Sequence, residues 1–208
     1  MIGRRKLLGL GLGVASGAIV PASAFASSFR TASGEPATSR YAGALVHGGR
    51  HTPARPYVAP RALAFRNLHT EETLDAVYFD QGDYVPDALQ AIDKVLRDFR
   101  TGEVHPISPR LLDVLFDLQA NTEARGAFQI VSGYRSPQTN DELREKSAEV
   151  AKRSLHMDGM AIDLYLDALD LSRLRDAAMD MSRGGVGYYP ESRFVHVDVG
   201  PVRHWVGA

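Results

Sequence analysis

Ser154-Leu155-His156-Met157-Asp158-Gly159-Met160-Ala161-Ile162-Asp163 runs from a loop histidine through an Asp-Gly turn into an apolar stretch that contains an aspartate. The stretch 161–166 reads as a strand, and Asp158-Gly159 as a tight turn that lets His156 fold back beside it. Side chains two apart on a strand share a face, so Asp163 sides with Ala161 and Tyr165, away from Ile162, Leu164 and Leu166. A second stretch, 194–199, alternates in the same way. His196 shares its face with Phe194 and Asp198, while Val195, Val197 and Val199 point into the expected core. Two strands thus each place a metal-capable side chain opposite an aliphatic stripe.

A catalytic zinc takes three ligands from His and carboxylate groups and leaves a fourth position for water. His156, Asp163 and His196 satisfy that chemistry. The chain has no cysteine, which excludes disulfides, thiolate metal sites and cysteine nucleophiles. Taken singly, each residue has a plainer reading: a loop histidine is ordinarily solvated, and a strand aspartate beside a turn ordinarily caps it. Spacing alone leaves both readings open.

Outward from this centre the patterns predict alternating elements. Residues 62–68 and 73–79, rich in β-formers, read as a hairpin. Pro86 opens a helix with Leu89, Ile92, Val95, Leu96 and Phe99 on one face, ended by Thr101-Gly102. Ser108-Pro109 is a cap followed by proline, starting a helix with Leu111, Leu112, Leu115 and Leu118 as its stripe. Residues 127–132 read as a strand, and Ser136-Pro137 starts a polar helix to about Ala151. Tyr134-Arg135-Ser136 therefore lies at a strand-to-helix junction. A last helix carries Leu171, Leu174, Ala178 and Met181 and stops at Gly184-Gly185.

The amino-terminal residues read as an export segment. Arg4-Arg5-Lys6 precedes an apolar, glycine-rich run and then Ala24-Phe25-Ala26, a small-x-small cleavage pattern. The paired arginines fit a twin-arginine signal over residues 1–26, with a general secretory signal as the plainer alternative; the glycine-broken run is too short for an uncleaved membrane anchor, so no membrane span is expected after cleavage. Residues 27–60, rich in Ser, Ala, Gly and Pro, read as a flexible leader, and residues 61–208 as the folded domain. His47, His51, His69 and His105 lie outside the motifs and receive no role. The chain has 24 Lys plus Arg against 25 Asp plus Glu, a formal charge of −1, and loss of the first three basic residues takes it to −4. That charge argues against a nucleic-acid partner.

The decapeptide resembles the S-x-H-x-x-G-x-A-x-D motif of the zinc D-Ala-D-Ala peptidase superfamily, which includes lysostaphin-like and hedgehog-like domains. Ser132-Gly133-Tyr134-Arg135-Ser136, Gly185-Val186-Gly187-Tyr188-Tyr189, Phe194-Val195-His196-Val197-Asp198 and Gly200-Pro201-Val202-Arg203-His204-Trp205 narrow the resemblance to MepK-type murein endopeptidases. It covers roughly Arg61 to the end of the chain.

The resemblance implies an α+β fold, a small antiparallel sheet flanked by helices, with one zinc on His156, Asp163 and His196. It also implies an exported, periplasmic hydrolase whose partners are peptidoglycan stem peptides and cross-links. Cross-links between two diaminopimelate residues are the leading substrate. Arg135 would bond the substrate carbonyl or carboxylate, with Tyr134, Ser136, His204 and Trp205 as candidate substrate contacts. The general base is the weak point. Many members place an acid three residues before the last ligand, where this chain has Arg193. Asp198, two residues from His196 and roughly 6.6 Å along the strand, is the candidate base. Glu191 is the runner-up, and a purely orienting role for Asp198 is the plainer alternative. A non-catalytic wall-binding domain and a D,D-carboxypeptidase stay open as other functions.

Overall fold

The structure is a computed structural model that describes residues 57–147 and 150–207. The expected signal and most of the leader lie outside the described residues. Eight strands form one sheet: β1 (Arg61–Asn67), β2 (Thr73–Asp80), β3 (Asp83–Tyr84), β4 (Phe128–Ser132), β5 (Ala161–Tyr165), β6 (Gly185–Tyr189), β7 (Phe194–Asp198) and β8 (Arg203–Val206), in spatial order β3-β2-β1-β4-β5-β7-β6-β8. Four helices accompany them: α1 (Pro86–Val95), α2 (Pro109–Thr122), α3 (Pro137–Lys146) and α4 (Leu171–Asp180). Among the described residues no helix is long and apolar enough to cross a membrane.

The α+β class is as expected, but the sheet is neither small nor wholly antiparallel. β1 pairs in parallel with β4, and β6 with β8. A parallel pair needs a crossover connection, and the segment between β1 and β4 supplies one that contains α1 and α2. Sequence patterning does not predict β6 or β8: one has glycines at alternate positions and the other is four residues long.

The aliphatic stripes face a single core. Ile162, Leu164, Val195 and Val197 lie there with Leu111, Leu112, Leu115 and Leu118 of α2 and Leu174 and Ala178 of α4. Each is nearly or wholly removed from water. At roughly 1.5–3 kcal/mol for each large aliphatic side chain, this burial is what holds the sheet against the helices.

Two helices are shorter than their patterns suggest because tertiary bonds take over their last residues. α1 stops at Val95, where the Leu96 carbonyl accepts from Tyr134 N at 2.7 Å and Phe99 leaves to stack on His69. α3 stops at Lys146, with Ser147 extended, and Asn140 Nδ2 donates to the Ala151 carbonyl. Of the two serine caps, Ser136 accepts from Thr139 N, whereas Ser108 makes no side-chain cap bond.

Asp98, just past α1, ties this region together. It is 2% exposed and accepts from Ser136 N, Ser136 Oγ and Arg100 N. Burial pushes its pKa up, but the bonds from Ser136 and Arg100 help to outweigh that and hold it at about 2. A depressed carboxylate stabilises the fold above its unfolded pKa near 4 and loses that contribution as the pH falls toward 2. Asp98→Asn should therefore cost about 2 kcal/mol at neutral pH. The gap between wild type and variant in urea unfolding should close between pH 4 and 2, and a gap constant over that range would contradict the assignment.

Candidate metal centre

Each ligand candidate is set by a different piece of local structure. His156 lies in a short 3-10 turn, Leu155–Asp158, capped by Ser154 Oγ, which accepts from the His156 backbone amide. The turn ends at Gly159 in the left-handed region at φ 63, where a Cβ would stand 2.1 Å from the Pro106 carbonyl oxygen. Only glycine fits both constraints. Asp163 and His196 are directly opposite one another across the antiparallel β5/β7 pair. Strand register thus delivers two side chains to one point, and the turn delivers the third.

Three atoms converge there. His156 Nε2 is 3.2 Å from Asp163 Oδ1 and 3.2 Å from His196 Nδ1, and His196 Nδ1 is 2.8 Å from Asp163 Oδ1. The far side of each imidazole is already committed. His156 Nδ1 donates to the Gly133 carbonyl at 2.7 Å, and His196 Nε2 donates to Asp198 Oδ2 at 3.0 Å. With both ring protons placed outward, neutral imidazoles turn two lone pairs and a carboxylate oxygen toward one another. Such a group could hold a cation between its members, and two nitrogens with one oxygen suit zinc.

The electrostatics agree with that reading. Burial is the main pull on His156 and lowers its pKa. Burial also opposes protonation of His196, but Asp163 and Asp198 outweigh it and raise that pKa to about 9. Asp163 is held well below the usual carboxylate range, its burial outweighed by the two histidines. The three groups compete for one positive charge.

Asp198 stands behind His196, 0% exposed, with every lone pair occupied. Besides His196 it accepts from Gly185 N at 2.9 Å, Gly200 N at 2.8 Å, and the fork of Arg203, at 2.7 Å from Nη2 and 3.2 Å from Nη1. These bonds outweigh the burial penalty and keep it ionised far below its ordinary value. Gly185 has to be glycine because a Cβ would lie 2.4 Å from Asp198 Oδ2.

A cleft of about 240 Å³ opens beside the three ligand candidates, lined by Arg135, Arg153, Tyr189, Phe194, Arg203 and Trp205 among others. Arg135 Nη2 lies 3.4 Å from Asp163 Oδ2, and burial lowers its pKa against the pull of Asp163. Trp205 lies flat over Gly187, donates to Tyr189 Oη at 2.9 Å and sits 5.2 Å from the His196 ring.

The structure thus gathers His156, Asp163, His196, Arg135 and Trp205. It does not bring Tyr134, Ser136 or His204 to the cleft wall. Tyr134 is buried against His105 and donates to Glu103, Ser136 serves Asp98 and the α3 cap, and His204 is exposed on β8. Glu191 is exposed and is not part of the cleft wall. Asp163 is the one carboxylate among the described residues of that wall. Tyr189, part of the Gly185–Tyr189 motif and open in the sequence between packing and substrate contact, lines the cleft, whereas Arg153 carries no sequence signal that separates it from an ordinary surface residue.

Comparison with known proteins points the same way. The family described as peptidoglycan L,D-endopeptidase MepK matches residues 55–205. The peptidoglycan L,D-endopeptidase MepK of Escherichia coli (strain K12) is 42% identical over 203 residues, which span 97% of this chain and 96% of that protein. A probable peptidoglycan L,D-endopeptidase MepK of Haemophilus influenzae is 41% identical over 149 residues, 71% of this chain and 80% of its own length. No solved structure gives a significant match.

Proposed function

This chain belongs to the MepK family of peptidoglycan L,D-endopeptidases, within the zinc D-Ala-D-Ala peptidase superfamily, and from that membership we infer that it is a zinc peptidase of peptidoglycan cross-links. The bond is the amide that joins the carbonyl of an L-centre to the nitrogen of a D-centre, as between two diaminopimelate residues. The observation that carries this reading is the convergence of His156 Nε2, Asp163 Oδ1 and His196 Nδ1 at the end of a cationic cleft.

Zinc bound there would supply a water of near-neutral pKa and polarise the scissile carbonyl. The chain's own residues do the rest. Gly133 and Asp198 fix the two imidazoles in the tautomer that turns a lone pair inward. Arg135, buried and only loosely bonded to Asp163, donates to the carbonyl oxygen as negative charge develops on it. Phe194 and Trp205 give the stem peptide an apolar wall. Asp198 has no free lone pair and meets the site through His196, so it acts as a positioning residue rather than as the base. The substrate lies in the envelope, and the paired arginines of residues 1–26 are the export route proposed for reaching it; cell fractionation checks that route.

Digestion of purified muropeptides tests the function. The chain with zinc should convert diaminopimelate-linked dimers to monomers, and a chelator should stop the reaction, as read by mass spectrometry. Removal of D-Ala alone from pentapeptides would make it a carboxypeptidase instead. Binding without cleavage of either would make it a wall-binding domain.

A further inference from the structure

The cleft carries more positive charge than the metal-ligand group accounts for. Its walls hold three arginines, Arg135, Arg153 and Arg203, against the single carboxylate of Asp163 among the described residues. Asp198, behind the wall, matches Arg203, which leaves Arg135 and Arg153 against Asp163 among the described residues.

The three guanidiniums differ in what they already bind. Arg203 is matched by Asp198 through both of its terminal nitrogens. Arg135 makes two long contacts of 3.4 Å, to Ser132 Oγ and Asp163 Oδ2, and its buried Nε has no acceptor. Arg153 is exposed on the segment that leads into the His156 turn, three residues before that ligand. It has no hydrogen bond or ion pair among the described residues. One cationic fork therefore stands ready at the mouth of the cleft, on the same stretch of chain as a metal ligand, beside a second fork whose bonding is incomplete.

We infer that Arg153 is a specificity residue that binds the free α-carboxylate of the D-centre carrying the leaving amine. The inference rests on the endopeptidase reading and deepens it. In an L,D cross-link between two diaminopimelates, the D-centre contributes its nitrogen to the scissile amide, while its own carboxyl group stays outside the bond. That carboxylate is one carbon from the nitrogen. A substrate whose carbonyl faces Arg135 and the ligand group must therefore hold this carboxylate within the same small cleft. A planar guanidinium meets a carboxylate through two parallel N–H···O bonds, which gives it geometric selectivity over a neutral carboxamide. Arg203 is committed to Asp198 and Arg135 faces Asp163, so Arg153 is the fork left for it.

The test uses synthetic cross-linked dimers in two forms, with the D-centre as carboxylate or as carboxamide, and the purified chain loaded with zinc. Wild type should prefer the carboxylate by about tenfold or more in kcat/KM, the worth of one charge-assisted pair at a partly solvated site. Arg153→Gln should bring that ratio close to one, mainly through KM, and Arg153→Lys should restore part of it. Calorimetry supplies a second readout, since the released monomer with its free D-carboxylate should bind Arg153→Gln about tenfold more weakly. Zinc content and melting temperature serve as folding controls for this exposed position. An unchanged ratio in Arg153→Gln overturns the inference. So does a wild type that cleaves both forms equally while Arg153→Gln loses both, because the anion bound would then lie elsewhere on the stem. A wild type that cleaves neither form sinks the endopeptidase reading itself.

Discussion

His156→Ala is expected to remove stoichiometric zinc and to lower kcat/KM by at least about 1,000-fold, a loss of roughly 4 kcal/mol in transition-state stabilisation. The histidine sits where two acceptors, Asp163 Oδ1 and His196 Nδ1, already converge, and it supplies the third. With alanine, one nitrogen and one oxygen remain, too few to hold the ion against water. The Gly133 carbonyl also loses its donor, at about 1–3 kcal/mol for an unpaired buried acceptor. That cost is local, because the core stripes of β5, β7 and α2 do not include His156. The variant should therefore keep its circular dichroism spectrum and lose its metal. Elemental analysis of dialysed protein reads the result directly: a full complement of zinc in His156→Ala would mean that the ligands lie elsewhere.

Much of this centre is legible in the sequence because β-strand alternation has a fixed period. The aliphatic residues of 161–166 and 194–199 could face only one way, which put Asp163 and His196 on the other side. Alternation gives the face of each residue, and the resemblance joins them in one ligand set, but neither gives the strand pairing that brings them together. Pairing of β5 with β7 is a long-range choice made by the core, and no local pattern announces that Asp163 stands opposite His196. β6 and β8 were invisible for a related reason. Gly187 looks like a strand breaker until Trp205 is seen lying on it, with a hypothetical Cβ only 2.6 Å from the indole.

The tripeptide Tyr134-Arg135-Ser136 shows the limit from another side. Its three residues are adjacent in sequence but divide between cleft and scaffold: Arg135 turns to Asp163, Tyr134 to Glu103, and Ser136 to Asp98. A motif marks the neighbourhood of a site without saying which of its members enter it. Arg153 is the converse, a polar loop residue whose placement only the fold reveals.

Asp198→Asn separates the two roles that the sequence leaves open for this carboxylate. As a positioning residue, Asp198 holds the proton of His196 on Nε2 and so keeps Nδ1 free for metal. An asparagine has nearly the same shape but offers an amide N–H₂ on one side, and the two backbone amides and Arg203 compete for its single carbonyl oxygen. His196 Nε2 then faces a donor and must accept, so the ring proton moves to Nδ1, toward Asp163 and the metal position. Zinc affinity should fall about 10–100-fold on that account, with turnover partly recovered at saturating zinc. Asp198→Ala should do more, costing about 3–5 kcal/mol of stability, because it strands the Arg203 fork and two backbone amides against a buried space. A general base behaves differently: its removal leaves the metal in place and takes the turnover. If Asp198→Asn binds zinc as tightly as wild type but has lost its activity at every zinc concentration, then Asp198 is the base after all. If it remains active while Glu191→Gln does not, the base is Glu191, reaching the cleft from its exposed position. The distinguishing quantity is thus the zinc dependence of the rate: only a positioning residue ties the loss of activity to the loss of metal.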